Sequence, residues 1–262
     1  MKAIILAAGT GSRLNKYTRS LPKGMLPFAG KPLLAWQIEA FRRAGISEIV
    51  VVTGYRAEAI TFDRVIFRHN PLYASTNMVE SLMTASDLFD DELLISYADL
   101  LVDNDLLATT VGFQGDVGVV VDEDWQKYWL ARYGKIDFDT ESLQLDGKGC
   151  IRELGIPDTP AAQIDGRYVG MLRFSRQGIK ELVRVYELEK AAYNGGTWRN
   201  SKSFENGYLT DLLQAMIDHG QKVQAISCEG GWLEFDTVGD YETYQEWAAQ
   251  GTLGRFLKWP AR

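Results

Sequence analysis

The 262-residue sequence predicts an α/β fold in which a mostly parallel sheet is followed, without a linker, by a smaller mixed α+β lobe. Three observations lead there. Apolar runs alternate with helical patterns through the first half of the chain. A turn of small residues follows the first apolar run. Past Asp99 the runs shorten and are divided by Gly and Asp turns.

Residues 3–6 (AIIL) read as the first strand. Residues 32–43 (PLLAWQIEAFRR) read as a helix with Pro32 in its first turn. Residues 48–53 (EIVVVT) are nearly all apolar, as expected of a strand with both faces covered. A helix over 78–89 and a strand over 93–98 (LLISYA) continue the β-α-β-α-β order, which argues for right-handed crossovers between parallel strands. Short strands are expected at 117–121, 128–133, 135–138 and 168–174. Helices are expected at 176–192 and 207–219, and a late strand at 222–227.

The chemistry is concentrated near the start. After the first strand the chain runs Ala7-Ala8-Gly9-Thr10-Gly11-Ser12-Arg13, and ten residues on comes Lys23 in a Pro22-Lys23 step. Small residues after a strand let backbone N–H groups approach phosphate oxygens closely, because no Cβ stands in the way. Arg13 and Lys23 then supply mobile positive charge. This is the layout of a nucleoside-triphosphate site. A dinucleotide fingerprint would need glycine where Leu14 stands, and a Walker loop would need Gly-Lys-Ser/Thr there.

Composition bounds the partners. With 28 basic and 35 acidic residues the net charge is −7, which gives nucleic acid no electrostatic footprint. Arg13, Lys16, Arg19 and Lys23 nevertheless crowd one loop, which suits a small anionic ligand. No apolar stretch is long enough to cross a membrane, and none resembles a signal peptide. Cys150 and Cys228 show no metal-ligand spacing and are expected to be reduced thiols in a cytoplasmic protein. A homodimer is compatible with all of this.

Residues 3–27, with glycines, arginine, proline and lysine agreeing in identity and spacing, resemble the LAAGxGxRL…PK signature of the sugar-phosphate nucleotidyltransferase superfamily. The resemblance implies a Rossmann-like sheet of the nucleotide-diphospho-sugar transferase type. It implies one domain over 1–262, with a nucleotide-binding half at about 1–115 and an acceptor-binding half at about 116–262. Leu6, Ala8, Gly9, Thr10, Gly11 and Ser12 would hold the nucleotide, with Arg13 and Lys23 acting in catalysis. Mg²⁺ would be held by one acid after a central strand and one after a late strand. Asp99 ends such a strand, with Asp103 and Asp105 close by. Asp236 lies in a W-x-E-F-D-T-x-x-D-Y context, Trp232 to Tyr241. Two carboxylates suffice for Mg²⁺, which fills its octahedron with phosphate oxygens and water. Read as residues alone, Asp99 could be a turn acid and Asp236 a helix cap, a role Thr237 or Asp240 could equally fill.

The stretch from His69 through Leu82 looks like the segment found in cytidylyltransferases that act on phosphocholine and small phosphonates. That likeness places Asn77 at a helix cap near the nucleotide, with Ser81 one turn on. It also places Trp129, Tyr208, Asp211 and Glu234 around the ammonium end of a small phosphorylated acceptor, where aromatic faces and carboxylates complement a cation. Core aromatics are the alternative for Trp129 and Tyr208. Two rival readings remain. A sugar-1-phosphate nucleotidyltransferase would use hydroxyl readers near Lys148, Glu153 and Gly170; a non-catalytic nucleotide sensor could share the fold.

Overall fold

A computed structural model describes residues 1–258. Strand β1 (Lys2–Ala7) is buried along its whole length. Ala3, Ile5 and Ala7 face one core, and Ile4 and Leu6 the other, the period-two alternation of a strand covered on both sides. A short pair, β2 (Pro27–Phe28) and β3 (Lys31–Pro32), leads into α1 (Leu33–Arg43). The first half continues through β4 (Glu48–Thr53), β5 (Ile66–His69) and α2 (Met78–Met83). It closes with β6 (Leu93–Tyr97), β7 (Leu100–Val102) and α3 (Asn104–Val111).

The second half begins with β8 (Val117–Asp122) and α4 (Trp125–Tyr133), then the hairpin β9 (Glu141–Leu145) and β10 (Ile151–Pro157). Strand β11 (Arg167–Phe174) and helix α5 (Arg176–Ala192) follow. Ser175 caps that helix by accepting from the Gly178 amide. Helix α6 (Leu209–Asp218), β12 (Gln224–Cys228), β13 (Trp232–Glu234) and α7 (Val238–Gln250) complete the chain.

The main sheet has the order β12-β8-β11-β6-β1-β4-β5. Its pairs are parallel except those of β11, which runs against both neighbours. Side chains of α1, α3, α4 and α7 fill the core on one face, and those of α2, α5 and α6 fill the other. From β1 the chain goes first to β4 and β5 on one side and then to β6 on the other. The reversal opens a crevice at the carboxyl ends of β1 and β6, where open α/β sheets bind ligands.

The expected strands at 128–133 and 135–138 are not strands. The first lies inside α4, because Trp125, Tyr128, Trp129 and Arg132 recur at helical spacing and are buried together. Gly134, with φ +70°, ends that helix in the left-handed conformation. The expected helix over 78–89 stops at Met83 and resumes only as a 3-10 turn, Ser86–Leu88. The hairpin β9–β10 was not foreseen. Among the described residues no helix is long and apolar enough to cross a membrane, and Cys150 and Cys228 are unpaired.

Candidate active site

The loop after β1 leaves the sheet at Ala8, whose carbonyl accepts from the Tyr55 amide. It turns at Gly11, with φ +62°. A side chain there would be strained, and its Cβ would lie 3.1 Å from Cβ of Lys23. Among the described residues the amides of Gly9, Thr10 and Gly11 donate to nothing in the protein. They border a cleft of about 240 Å³ at the crevice described above. Of the residues expected to hold a nucleotide, Leu6, Ala8, Gly9, Gly11, Ser12, Asn77 and Ser81 line this cleft; Thr10 lies exposed beside it.

Asn77 occupies the residue before α2, but its side chain does not cap the helix. Its amide nitrogen reaches the Asn206 carbonyl at 3.3 Å. Ser81 Oγ accepts from the buried Asn70, which also bonds Thr76 Oγ1 and the Leu72 amide. Asn70 thus fixes the loop between β5 and α2 against the cleft, a role the sequence reading missed.

Opposite the loop stand the charges. Lys23 is not a mobile loop lysine: its side chain is only 16% exposed, and Nζ lies 2.5 Å from Asp99 Oδ2 and 2.8 Å from Asp236 Oδ1. Arg13 Nη2 sits 2.5 Å from Asp236 Oδ2, and its Nη1 lies 3.3 Å from Asp139. Burial alone would make Lys23 easier to deprotonate, but Asp99 and Asp236 outweigh it and hold the ammonium charged. Burial, followed by the charge of Glu234, raises Asp236 against the pull of Lys23.

Asp236 is free for this role because Thr237 and Asp240 supply the cap of α7 as a reciprocal box. Asp103 is likewise accounted for, capping α3 by accepting from Leu106. Asp99 Oδ1 is enclosed without a hydrogen-bond partner. Two carboxylates that already share a cation, one with an orphaned oxygen, fit a divalent metal. Among the described residues no cluster of three or more acids, histidines or cysteines forms an all-protein cage. That donor set suits Mg²⁺, which keeps water and takes phosphate oxygens.

The expected ammonium cage is only partly assembled. Trp129 is fully buried, its Nε1 donating to the Phe138 carbonyl, in an aromatic cluster with Trp125, Tyr128 and Tyr133. The guanidinium groups of Arg132 and Arg167 lie over its ring, so it is a core residue and presents no face to a ligand. Asp211 is also buried. It accepts from the Asn200 amide, the Ser201 hydroxyl and the Tyr208 amide, which saturates it as part of the box starting α6. Tyr208 is the exposed residue of that box.

Near Lys23 and Asp236 stands Glu234. Arg132 holds it at 2.9 Å. Burial would raise its carboxyl, but Arg132, Arg167 and Lys23 together hold it down at about 2.

Next to Tyr97, which lines the cleft beside Asp99, lie residues with no local motif. Tyr97 and Tyr168 share a hydrogen bond of 3.0 Å between their hydroxyls. Gly170, with φ +85°, lies against the Tyr97 ring, where a Cβ would come within 2.6 Å. Glu141 lies close to both tyrosines and to Arg167. Of the residues considered as sugar readers, Gly170 is here, whereas Lys148 is exposed at the turn of the β9–β10 hairpin.

A phosphate-ready loop above two carboxylates and two cations, at the switch point of a mostly parallel sheet, defines a nucleotidyl-transfer enzyme. The MobA-like NTP transferase domain family matches residues 3–153, and the chain belongs to that family. It is 34% identical over 257 residues to the CTP:phosphoglutamine cytidylyltransferase of Campylobacter jejuni, covering 94% of this chain and 100% of that one. It is 32% identical over 215 residues to a choline-phosphate cytidylyltransferase of Streptococcus pneumoniae, covering 72% and 90%. The solved structure of a CTP:phosphocholine cytidylyltransferase from Streptococcus pneumoniae matches in fold with a TM-score of 0.71 at 24% identity, over 94% of this chain and 97% of that one. The superfamily reading and the fold class are borne out, and the protein is a nucleotidyltransferase.

Proposed function

We propose that the protein transfers CMP from CTP, with Mg²⁺, to a small acceptor bearing a phosphate or phosphonate, releasing pyrophosphate. The observation that carries this reading is the bridge of Lys23 between Asp99 and Asp236 beneath the free amides of Gly9 to Gly11. The two cytidylyltransferases above, whose names specify small phosphorylated acceptors, support CTP and the acceptor class.

The chain's residues then act by positioning and charge. Loop amides hold phosphate oxygens, and Arg13 and Lys23 offset charge as it builds on the α-phosphate and the leaving group. Asp99 and Asp236 would hold the metal, which would supply charge neutralisation of the triphosphate. No protein base is needed, because the acceptor oxygen is already anionic at neutral pH. It attacks the α-phosphorus, the bond to the β-phosphate breaks, and pyrophosphate carries away the charge. The two histidines are engaged elsewhere, His69 beside Thr53 and His219 with Glu189.

The test is pyrophosphate release with CTP, UTP, ATP and dTTP against phosphoglutamine, phosphocholine, 2-aminoethylphosphonate and glucose 1-phosphate. CTP with an amine-bearing acceptor should dominate. Higher turnover of glucose 1-phosphate with UTP or dTTP would replace this reading with the sugar branch.

A further inference from the structure

Two groups of opposite charge stand without an ion-pair partner near the cleft, Glu141 close to Tyr97 of its lining and Arg167 close to Glu141. Arg167 opens β11, the one antiparallel strand, at the end that meets the cleft. Its guanidinium lies over Trp129, 4.5 Å from the ring centroid. Nη1 is enclosed and has no hydrogen-bond acceptor among the described residues. Glu141 opens β9 and makes no hydrogen bond or ion pair among those residues. The charges do sense each other: burial raises the Glu141 carboxyl against the pull of Arg167, and at Glu234 Arg132 and then Arg167 outweigh burial. Glu234 is already committed to Arg132.

Enclosed charges are costly unless paired. A guanidinium stacked on an indole is fixed in orientation, and this part-exposed one has hydrogen-bonding capacity left for a planar, two-oxygen acceptor. Each candidate acceptor end can be weighed on that basis. A purely cationic head satisfies Glu141 but sets a second positive charge against Arg167. A neutral polyol leaves both charges uncompensated. A zwitterion pairs both at once.

We propose that the acceptor ends in an amino-acid zwitterion, with Arg167 selecting its carboxylate and Glu141 taking its ammonium group. This rests on the cytidylyltransferase reading, which requires only the phosphate end of the acceptor, and it deepens that reading.

The experiment compares acceptors that differ by one carboxylate, at two lengths: phosphoglutamine against phosphorylated 4-aminobutyramide, and O-phosphoserine against phosphoethanolamine. With CTP, the wild type should prefer the carboxylate-bearing member of at least one pair by about tenfold or more in kcat/KM, the scale of a charge-assisted hydrogen bond. Arg167→Gln should reduce that preference to within about threefold by raising acceptor KM about 10- to 100-fold, while KM for CTP stays unchanged. Arg167→Lys should keep part of it. A melting curve for each variant separates lost recognition from lost stacking on Trp129, and the wild-type comparison needs no variant. Equal or better use of the decarboxylated members overturns the zwitterion while leaving CMP transfer standing. A preference that survives Arg167→Gln overturns the assignment of Arg167. Failure of every amine-bearing acceptor, with turnover of glucose 1-phosphate, overturns the reading beneath it as well.

Discussion

Lys23→Ala tests the centre of the site on two readouts with different causes. Nζ sits 2.5 Å from Asp99 and 2.8 Å from Asp236, so truncation leaves two neighbouring carboxylates with one cation fewer. Removing one partner of a buried ion pair costs about 3–5 kcal/mol. Here the lysine is 16% exposed and Asp236 keeps Arg13, which reduces the expected loss to about 2 kcal/mol. For a domain of this length that is a fall of about 4–8 °C in Tm. A divalent cation relieves the same repulsion, so Mg²⁺ should restabilise the variant by more than it stabilises the wild type, and EDTA should abolish the difference. Turnover behaves otherwise. The lysine is aimed at charge that grows in the transition state, so kcat should fall by about 10²–10³ even at saturating Mg²⁺. The assays are thermal unfolding with and without Mg²⁺ and pyrophosphate release. Unchanged turnover would remove Lys23 from the chemistry. A melting curve indifferent to Mg²⁺ would refute the idea that the two acids share one cation site.

Asp99→Asn and Asp236→Asn should each remove most activity, with partial recovery in excess Mg²⁺; full wild-type turnover in EDTA would withdraw the metal from both. Gly11→Ala puts a Cβ 3.1 Å from Lys23 and 3.2 Å from Thr18 at a positive φ. It should cost about 1–2 kcal/mol of stability and raise KM for CTP, and a variant that binds CTP normally would show that the loop does not cradle phosphate. Trp129→Ala should cost about 3–5 kcal/mol as a core truncation and impair nucleotide and acceptor kinetics alike; a selective rise in acceptor KM at unchanged stability would return Trp129 to the binding wall.

The phosphate loop was legible because its chemistry is local. Close approach of backbone to phosphate dictates small residues at consecutive positions, and Arg13 and Lys23 follow within ten residues of each other. Asp99 and Asp236 were paired by the resemblance, and the structure sets both against Lys23. Tyr97, Glu141, Arg167 and Glu234 come from β6, β9, β11 and β13, strands far apart in sequence, with β11 inserted antiparallel between β6 and β8. Nothing in the local pattern around Glu141 or Arg167 announces their proximity.

The residues expected around the ammonium group carried a second signal. Trp125, Tyr128, Trp129 and Arg132 have the spacing of a buried helix stripe, which argues for core over cage. Asp211 stands three residues after Tyr208 before an apolar run, where an acid can accept from the amide that opens a helix, as it does here.

One buried hub ties the two halves of the site together. Asp240 Oδ2 accepts from the amides of Asp236 and Thr237, at 3.1 and 2.7 Å, and so fixes the backbone from which the Asp236 carboxylate projects. The same carboxyl group takes both Nε and Nη2 of Arg132, at 2.6 and 2.7 Å, in a bidentate fork. Arg132 then spends its remaining nitrogen on Glu234. Asp236 and Glu234, at the phosphate and acceptor ends in the proposed function, are therefore oriented through a single guanidinium–carboxylate pair. For a reaction with no proton for the protein to move, rate depends on how little the charged groups must rearrange as the α-phosphate changes geometry. A shared hub sets the spacing of the two acids in the folded chain, before either substrate arrives. Lys23 and Arg13 are then the groups left to change partners, from carboxylate to phosphate.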